Sequence, residues 1–435
     1  MEETIGLIMD SLKWLGINWD EGPDIGGMFA PYRQSERTAI YNANAEKLIT
    51  AKKAYRCFCS PEKLDEKRKK LAEEDIYFKY DRECLSLNED TILQNIKEGL
   101  PFAIRLKAPD DKDIIFNDTV YGEIKVNSNI LEDFIIIRSN GLPTYNFSAA
   151  VDDILMEITN VIRGEDHLSN TPKQILVYKA LGKEIPVFTH LPMILGSDGT
   201  KLSKRHGSIS IEAYRGEGFL PEAMDNYLAL LGWAYDEKTT VFSTDELTDK
   251  FSIGAINKKP SKFDYEKLLW LNGFYLRSKD DSFIAVLLSE RLKTIGVPVN
   301  ELNLKLPKII PLIKERTKTI SQAQEIVRSF FFDINYPDDL KKYFAGRTDE
   351  TKIIIETAIS SITKIEEFST KNIENCLRTL AVELNISFKK YAESIRAAVW
   401  GSKVSPPLFE TIEVLGMKTT IERLSRFKSI LIDAY

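Results

Sequence analysis

ITNVIRGEDHLSNTPKQILVYKALGKEIPVFTHLPMIL, residues 158–195, is the stretch whose reading decides the fold. Residues 158–162 read as a buried strand ending at Arg163-Gly164. Asn170-Thr171-Pro172 is a helix start, with proline near the first helical position, where an N–H would have no partner anyway. The helix continues through residues 174–181, and residues 188–195 read as a second strand. Strand, helix, strand predicts a parallel crossover unit, and ligands sit beyond the carboxyl ends of such strands. Arg163 lies at the first of those ends. Beyond the second comes the turn signal Ser197-Asp198-Gly199 and then Lys201-Leu-Ser-Lys-Arg205, three cations and a hydroxyl within five residues. Such a loop suits a polyphosphate: mobile lysine charges, a serine hydroxyl and an arginine fork for phosphate oxygens. A solvated surface turn is the alternative reading of the same residues.

Outward from this unit, residues 3–16 place Ile5, Ile8, Leu12 and Leu15 on one helical face. Residues 36–54 read as another helix, with Ile40, Ala43, Leu48 and Ile49 inward. Between Cys57 and Asn140 the texture changes to short strands (102–106, 114–116, 124–126, 134–138) separated by turn residues such as Asn117-Asp118 and Ser139-Asn140-Gly141. This predicts a mixed insertion into a larger α/β domain. From Phe219 the pattern is helical almost to the end, with residues 352–362, 373–384 and 407–415 among the helices. No internal repeat or low-complexity tract is present.

A chain of 435 residues, 43% hydrophobic and 29% charged, is ordinary globular protein of two to four domains. No apolar run is long enough to span a bilayer, and residues 1–10 lack the pattern of a secretory signal, so a cytoplasmic location is expected. A net charge of −6 argues against indiscriminate nucleic-acid binding but leaves room for a local basic face. Lys258, Lys259, Lys262, Lys267, Arg277 and Lys279, interleaved with Phe263, Tyr265, Trp270 and Tyr275, form one candidate; an amphipathic helix with solvated lysines is the other reading. The four cysteines are too sparse for a disulfide framework and point to a reducing compartment. Cys57, Cys59 and Cys84 could hold zinc as thiolates, with an oxygen such as that of Tyr80 completing a tetrahedron; three free, partly buried cysteines is the alternative.

GLPTYNFSAAVDDILMEITNVIRGEDHLSNTPKQILVYKAL (141–181) and HLPMILGSDGTKLSKRHG (190–207) closely resemble the glutamyl-tRNA synthetases of bacteria, which are class I aminoacyl-tRNA synthetases. The resemblance extends over nearly the whole chain, through LKWLGINWDEGP (12–23), YRQSER (32–37), FLPEAMDNYLALLGW (219–233), KFDYEKLLWLNGFYL (262–276) and VSPPLFETIEVLG (404–416). KLSKR resembles the family's second class I motif. The early His-x-Gly-His motif has no counterpart. The three histidines are His167, His190 and His206; no two are three apart and none lies in the first third. The resemblance therefore implies that the family's first strand, that motif's helix and the following acidic segment precede residue 1.

The fold class implied is α/β: an N-terminally truncated Rossmann-type catalytic domain with a mixed α/β insertion, followed by an all-α C-terminal half. The implied domains are a catalytic domain at 1–38 and 147–205, an insertion binding the tRNA acceptor end at 39–146, a helical connecting domain at 206–280 and a helical anticodon-binding domain at 281–435. The implied reaction joins glutamate to ATP as glutamyl-adenylate and passes it to the 3′ end of tRNA-Glu. Lys204 and Lys201 would be catalytic, with Ser203, Arg205 and Asp166 also at the ATP and magnesium accompanying the nucleotide. Arg163 and Tyr145 would hold glutamate, Cys57, Cys59, Tyr80 and Cys84 would hold zinc, and Arg396, within residues 377–400, would contact tRNA. Asp152-Asp153 reads as structural support rather than a metal pair, since adjacent strand residues point to opposite faces. A monomer is expected, and the sequence leaves open whether tRNA-Gln is charged as well.

Three alternatives compete. As written, the chain would be a catalytically impaired tRNA-binding fragment or pseudo-enzyme, because part of the ATP and glutamate site is absent. The family's short paralogue, which glutamylates a tRNA base, lacks an anticodon-binding domain, which the long helical C-terminal half argues against. Glutaminyl-tRNA synthetase has a mostly β C-terminal region, against the helical patterns here.

Overall fold

The computed structural model describes residues 2–73, 78–203, 205 and 210–433. Helices α1 (Glu2–Trp14) and α2 (Thr38–Thr50) lead to strand β1 (Ala54–Cys57), helices α3 (Pro61–Glu73) and α4 (Glu89–Lys97), strand β2 (Ala103–Leu106), strands β3 (Asp113–Asp118) and β4 (Gly122–Asn127), and strand β5 (Ile135–Ile137). Then come α5 (Tyr145–Leu155), β6 (Asn160–Gly164), α6 (Thr171–Ala180), β7 (Val187–Leu191) and β8 (Ile194–Leu195). Helices α7 (Ile211–Glu217), α8 (Pro221–Ala229) and α9 (Thr244–Lys250) precede β9 (Ser261–Lys262). The chain divides into two units, Met1–His206 with Leu228–Phe263, and Gly207–Tyr227 with Asp264–Tyr435.

In the first unit, β1, β2 and β5 form an antiparallel sheet in the order β1-β2-β5. A second sheet runs β4-β3-β7-β6, in which β6 and β7 are parallel and in register from Asn160↔Val187 to Gly164↔Leu191. The hairpin of β3 and β4, from the stretch between Cys57 and Asn140, thus extends the sheet of the crossover unit. Helix α6 closes the crossover. It buries Ile175, Leu176, Val177 and Tyr178, one after another, together with Thr171, Pro172 and Gln174. A helix covered on every side has no need of an amphipathic stripe. Tyr41, Leu48, Phe116, Ile136, Phe147, Val177 and Phe188 share one core between the helices and the two sheets. Each such side chain contributes about 1.5–3 kcal/mol by burial.

Several expectations need correction. Ile8 on α1 is 57% exposed, although Leu15 on the same face is buried and Ile5 and Leu12 are partly so, and Ala43 on α2 is exposed. Strand β1 was not foreseen, because its four residues read as the end of a helix and the start of the cysteine motif. Asp152 and Asp153 lie on helix α5 and not on a strand. Successive helical residues are about 100° apart, so the two carboxylates take different partners without facing opposite ways. Asp152 accepts from Arg37 Nε (2.7 Å), the Tyr41 hydroxyl and Gln34 Nε2 (3.0 Å), and Asp153 accepts from the Tyr178 hydroxyl (2.9 Å). The expected structural role stands on these bonds. Residues 231–263 are largely irregular around α9, which starts with a Ser243–Glu246 capping box, and pack on a small core of Trp233, Phe242 and Leu247.

The second unit is helical. It contains α7, most of α8, α10 (Tyr265–Ser278), α11 (Asp281–Thr294), α12 (Val299–Ile313), α13 (Ile320–Phe331), α14 (Asp338–Ala345), α15 (Thr348–Ile362), α16 (Thr370–Glu383), α17 (Phe388–Trp400) and α18 (Leu408–Asp433). Its interior includes Leu271, Ile309, Val327, Phe344, Ile355, Ile395 and Phe427, all buried. Helix α18 is broken at Gly416 (φ 80°, ψ 161°), a conformation essentially reserved for glycine. The basic, aromatic stretch read at residues 258–279 is not one helix. It is divided at Phe263 between the two units, and Lys258 Nζ donates to the Tyr121 carbonyl (3.2 Å) while Arg277 and Lys279 pair with Glu315 and Glu222.

Candidate active site and cysteine cluster

The parallel pairing of β6 and β7 brings both carboxyl ends to one edge of the sheet. Arg163, the fourth residue of β6, is half-buried there. Its Nε donates to His190 Nε2 (3.1 Å) and its Nη2 donates to the Thr171 hydroxyl (2.8 Å). These partners are neutral, and among the described residues no carboxylate lies within ion-pair distance of Arg163. Burial lowers the pKa of the guanidinium, while Tyr145 and Asp153 act in the opposite direction. A guanidinium drawn partly out of water with no carboxylate in ion-pair contact is a costly arrangement for the protein alone. It is the arrangement a carboxylate ligand completes, through two parallel N–H···O bonds.

Tyr145 opens helix α5 and is half exposed, with its hydroxyl 3.4 Å from His167 Nδ1. Asn170 reaches the same His167 nitrogen (3.3 Å). Tyr145, Arg163 and His167 therefore lie together at one edge.

The cationic loop follows β8, which pairs with β9. A tight turn forms from Gly196 to Thr200, with Gly196 N donating to the Thr200 carbonyl (2.8 Å) and Gly199 at φ +78°. This returns the chain so that Lys201 sits opposite Leu195. Asp198 caps the turn by accepting from the Thr200 N–H (2.9 Å) and hydroxyl (2.8 Å). Arg205 Nη2 reaches the Thr200 hydroxyl (2.5 Å) and Asp198 (3.5 Å). Lys201 Nζ pairs with Asp166 (3.0 Å), joining the loop to the turn after β6 and holding the Asp166 carboxyl below its usual range. Both partners are well exposed, at 60% and 44%, so the pair is exchangeable for a ligand contact. Ser203 lies beside them in the chain, and Lys204 lies outside the described residues.

A second cluster sits where β1 runs into α3. The sulfurs of Cys57, Cys59 and Cys84 all lie within 4.8 Å of one another. Cys59 Sγ is 3.6 Å from Cys84 Sγ, and the Tyr80 hydroxyl is 3.1 Å from Cys57 Sγ and 3.6 Å from Cys59 Sγ. Ligands at ordinary zinc–sulfur lengths are about 3.8 Å apart across a tetrahedron, so this donor set fits zinc. Hydrogen bonding from the Cys84 thiol, aided by Tyr80 and Arg105, holds Cys57 below the usual thiol range against the effect of burial. The Arg105 guanidinium lies 3.9 Å over the Tyr80 ring. Among the described residues no other group of this kind could hold a metal.

In the second unit, Arg396 on α17 is half-buried, with its Nε donating to the Ser405 hydroxyl (3.1 Å). Arg316 Nη1 donates to the Ser405 carbonyl (2.7 Å), so two guanidinium groups converge on one loop residue. Burial lowers the pKa of Arg396.

The sequence reading missed His190, Asp118 and Thr171. His190 lies within the strand that it did recognise, but a histidine in an apolar strand gives no sign of what it faces.

Residues 1–270 match the catalytic domain of the class I tRNA synthetases (E and Q), and residues 284–428 match an anticodon binding domain. The chain belongs to the class I tRNA synthetases of the E and Q type. Among named relatives, it is 40% identical to Glutamate--tRNA ligase 2 of Caldicellulosiruptor saccharolyticus, over 98% of this chain and 88% of that one. It is 39% identical to Glutamate--tRNA ligase 1 of Syntrophomonas wolfei, over 98% of this chain and 86% of the relative. It also superimposes, with a TM-score of 0.87 and 32% identity over 98% of this chain and 89% of the other, on a crystal structure of a glutamate tRNA ligase from Elizabethkingia meningosepticum in complex with its amino acid.

Proposed function

We propose that the chain is a glutamate–tRNA ligase that activates glutamate with ATP and transfers it to tRNA-Glu. The observation that carries this reading is Arg163, half-buried at the carboxyl end of a parallel strand and hydrogen-bonded, among the described residues, to neutral acceptors. A substrate side-chain carboxylate supplies the missing negative charge, and the Tyr145 hydroxyl borders the same seat. Lys201, Ser203, Lys204 and Arg205 serve the ATP phosphates, with Asp166 beside the nucleotide and magnesium accompanying it. Glutamate's α-carboxylate attacks the α-phosphorus and pyrophosphate leaves; a terminal ribose hydroxyl of tRNA then displaces AMP. Lys204 and Lys201 lower the barrier by neutralising charge that develops on the phosphates. Arg396 and the helices from 281 onward bind tRNA, and Cys57, Cys59, Tyr80 and Cys84 bind a zinc ion that fixes the fold of the 39–146 stretch. The reading is of a cytoplasmic monomer with tRNA-Glu as its principal tRNA and tRNA-Gln as a second one to be tested.

The purified chain, given ATP, magnesium, labelled glutamate and tRNA-Glu, is expected to form acid-precipitable glutamyl-tRNA. Lys204→Ala should lower kcat by about 10²–10³, the usual effect of losing one donor to a developing charge. Salt-sensitive tRNA binding with no glutamate incorporation would instead identify a tRNA-binding protein without ligase activity.

A further inference from the structure

Asp118, on β3, is buried, and its carboxylate accepts four hydrogen bonds. Oδ1 takes the N–H groups of Val120 (3.0 Å) and Tyr121 (2.9 Å). Oδ2 takes the His190 backbone N–H (3.0 Å) and the His190 ring at Nδ1 (2.7 Å). An ionised carboxylate only accepts, so the ring carries its proton on Nδ1. That leaves the lone pair of Nε2 facing Arg163 Nε (3.1 Å) and the Thr171 hydroxyl (3.1 Å). A proton on Nε2 would set two N–H donors against each other and place a second cation beside the guanidinium. Thr171, itself buried, accepts from Arg163 Nη2 (2.8 Å).

The imidazole stands between a buried carboxylate and a guanidinium that could otherwise pair directly. Asp118 spends its charge on backbone and ring N–H groups, and Arg163 is gripped by neutral acceptors on its Nε and Nη2 edge.

We infer that Asp118, His190 and Thr171 form a positioning cradle that fixes the orientation of Arg163 and keeps its charge available for the glutamate side-chain carboxylate, and so sets the choice of glutamate over glutamine. The three residues act through Arg163 and do not touch the substrate. This inference rests on the reading of Arg163 as the carboxylate seat.

The test is calorimetric titration of the full chain with L-glutamate, L-glutamine and ATP. His190→Asn keeps a donor for Asp118 but has no acceptor at the Nε2 position, whereas His190→Gln can place its Oε1 there. His190→Asn should weaken glutamate binding by about tenfold or more and narrow the preference over glutamine, while ATP affinity stays within about twofold. His190→Gln should recover most of the loss. Thr171→Val, a near-isosteric change, should weaken glutamate selectively and serves if His190→Asn does not melt like the parent. Arg163→Gln is the control. If it abolishes glutamate binding while His190→Asn and Thr171→Val leave it unchanged, or weaken glutamate and ATP alike, the cradle is wrong and the seat stands. If Arg163→Gln has no effect on glutamate, the seat itself is wrong.

Discussion

At the scale of single residues, buried charge separates support from function. Arg37 and Asp152 are buried and satisfied by each other, by Tyr41, by Gln34 and by the Phe29 and Pro31 carbonyls. Their charges are matched within the protein. Arg163 differs because its partners are neutral. The sequence placed Arg163 at a strand end suited to a ligand, but not the partners that separate it from Arg37. What surrounds them comes from β3, α5, α6 and β7, far away along the chain. Asp225 on α8 gives a pH-dependent consequence. Burial, with Glu222 second, raises its carboxyl to about 6, so the folded chain holds this proton more tightly than the unfolded chain does. The stability from protonated Asp225 is full below about pH 4 and is lost as pH rises through about 6. Asp225→Asn should therefore raise stability at pH 7.5 by on the order of 1 kcal/mol, after allowance for solvent screening, and give no gain at pH 4. Urea unfolding at the two pH values checks this; an equal gain at both, or none at pH 7.5, would refute it.

At the scale of elements, periodicity and turn chemistry carried the sequence reading where local interactions decide. The β6–α6–β7 crossover was legible because an apolar run, a Thr-Pro helix start and a second apolar run follow one another. The turn before Lys201 was legible from Ser197-Asp198-Gly199, and Gly199 does adopt positive φ. The reading failed where packing overrides local preference. Ile8 obeys the helical period but meets no covering partner, and residues 231–263 give up helix for an aromatic core. The cysteine cluster is intermediate. Spacing suggested it, and only the fold brings Cys84 and Tyr80 back to Cys57 and Cys59. Because its ligands come from separate segments, zinc should hold β1 and the 3₁₀ turn at Glu83–Ser86 together. Metal analysis should find about one zinc per chain, with a large drop in Cys59→Ser, and chelation should lower the melting temperature of the parent more than that of the variant. A parent that is zinc-free as purified, fails to take up added zinc, and melts identically with and without chelator would rule the site out.

At the scale of the whole molecule, a mixed α/β unit and a helical unit carry the two matched domains of a class I synthetase of the E and Q type. The helical second half was legible from its 3.6-residue period. The sharing of one sheet by the β3–β4 hairpin and the crossover was not, since no local signal records which strand edges meet. No helix among the described residues is long and apolar enough to cross a membrane. The central claim is that the first unit seats a glutamate carboxylate on Arg163 and joins that glutamate to tRNA. The most direct test is the steady-state charging of tRNA-Glu by the full chain and by Arg163→Gln, with glutamate and glutamine compared as substrates. The account predicts that the parent charges glutamate in strong preference to glutamine and that kcat/KM for glutamate falls by about 10²–10³ in the variant, the preference largely collapsing. Undiminished charging of glutamate by Arg163→Gln would contradict it.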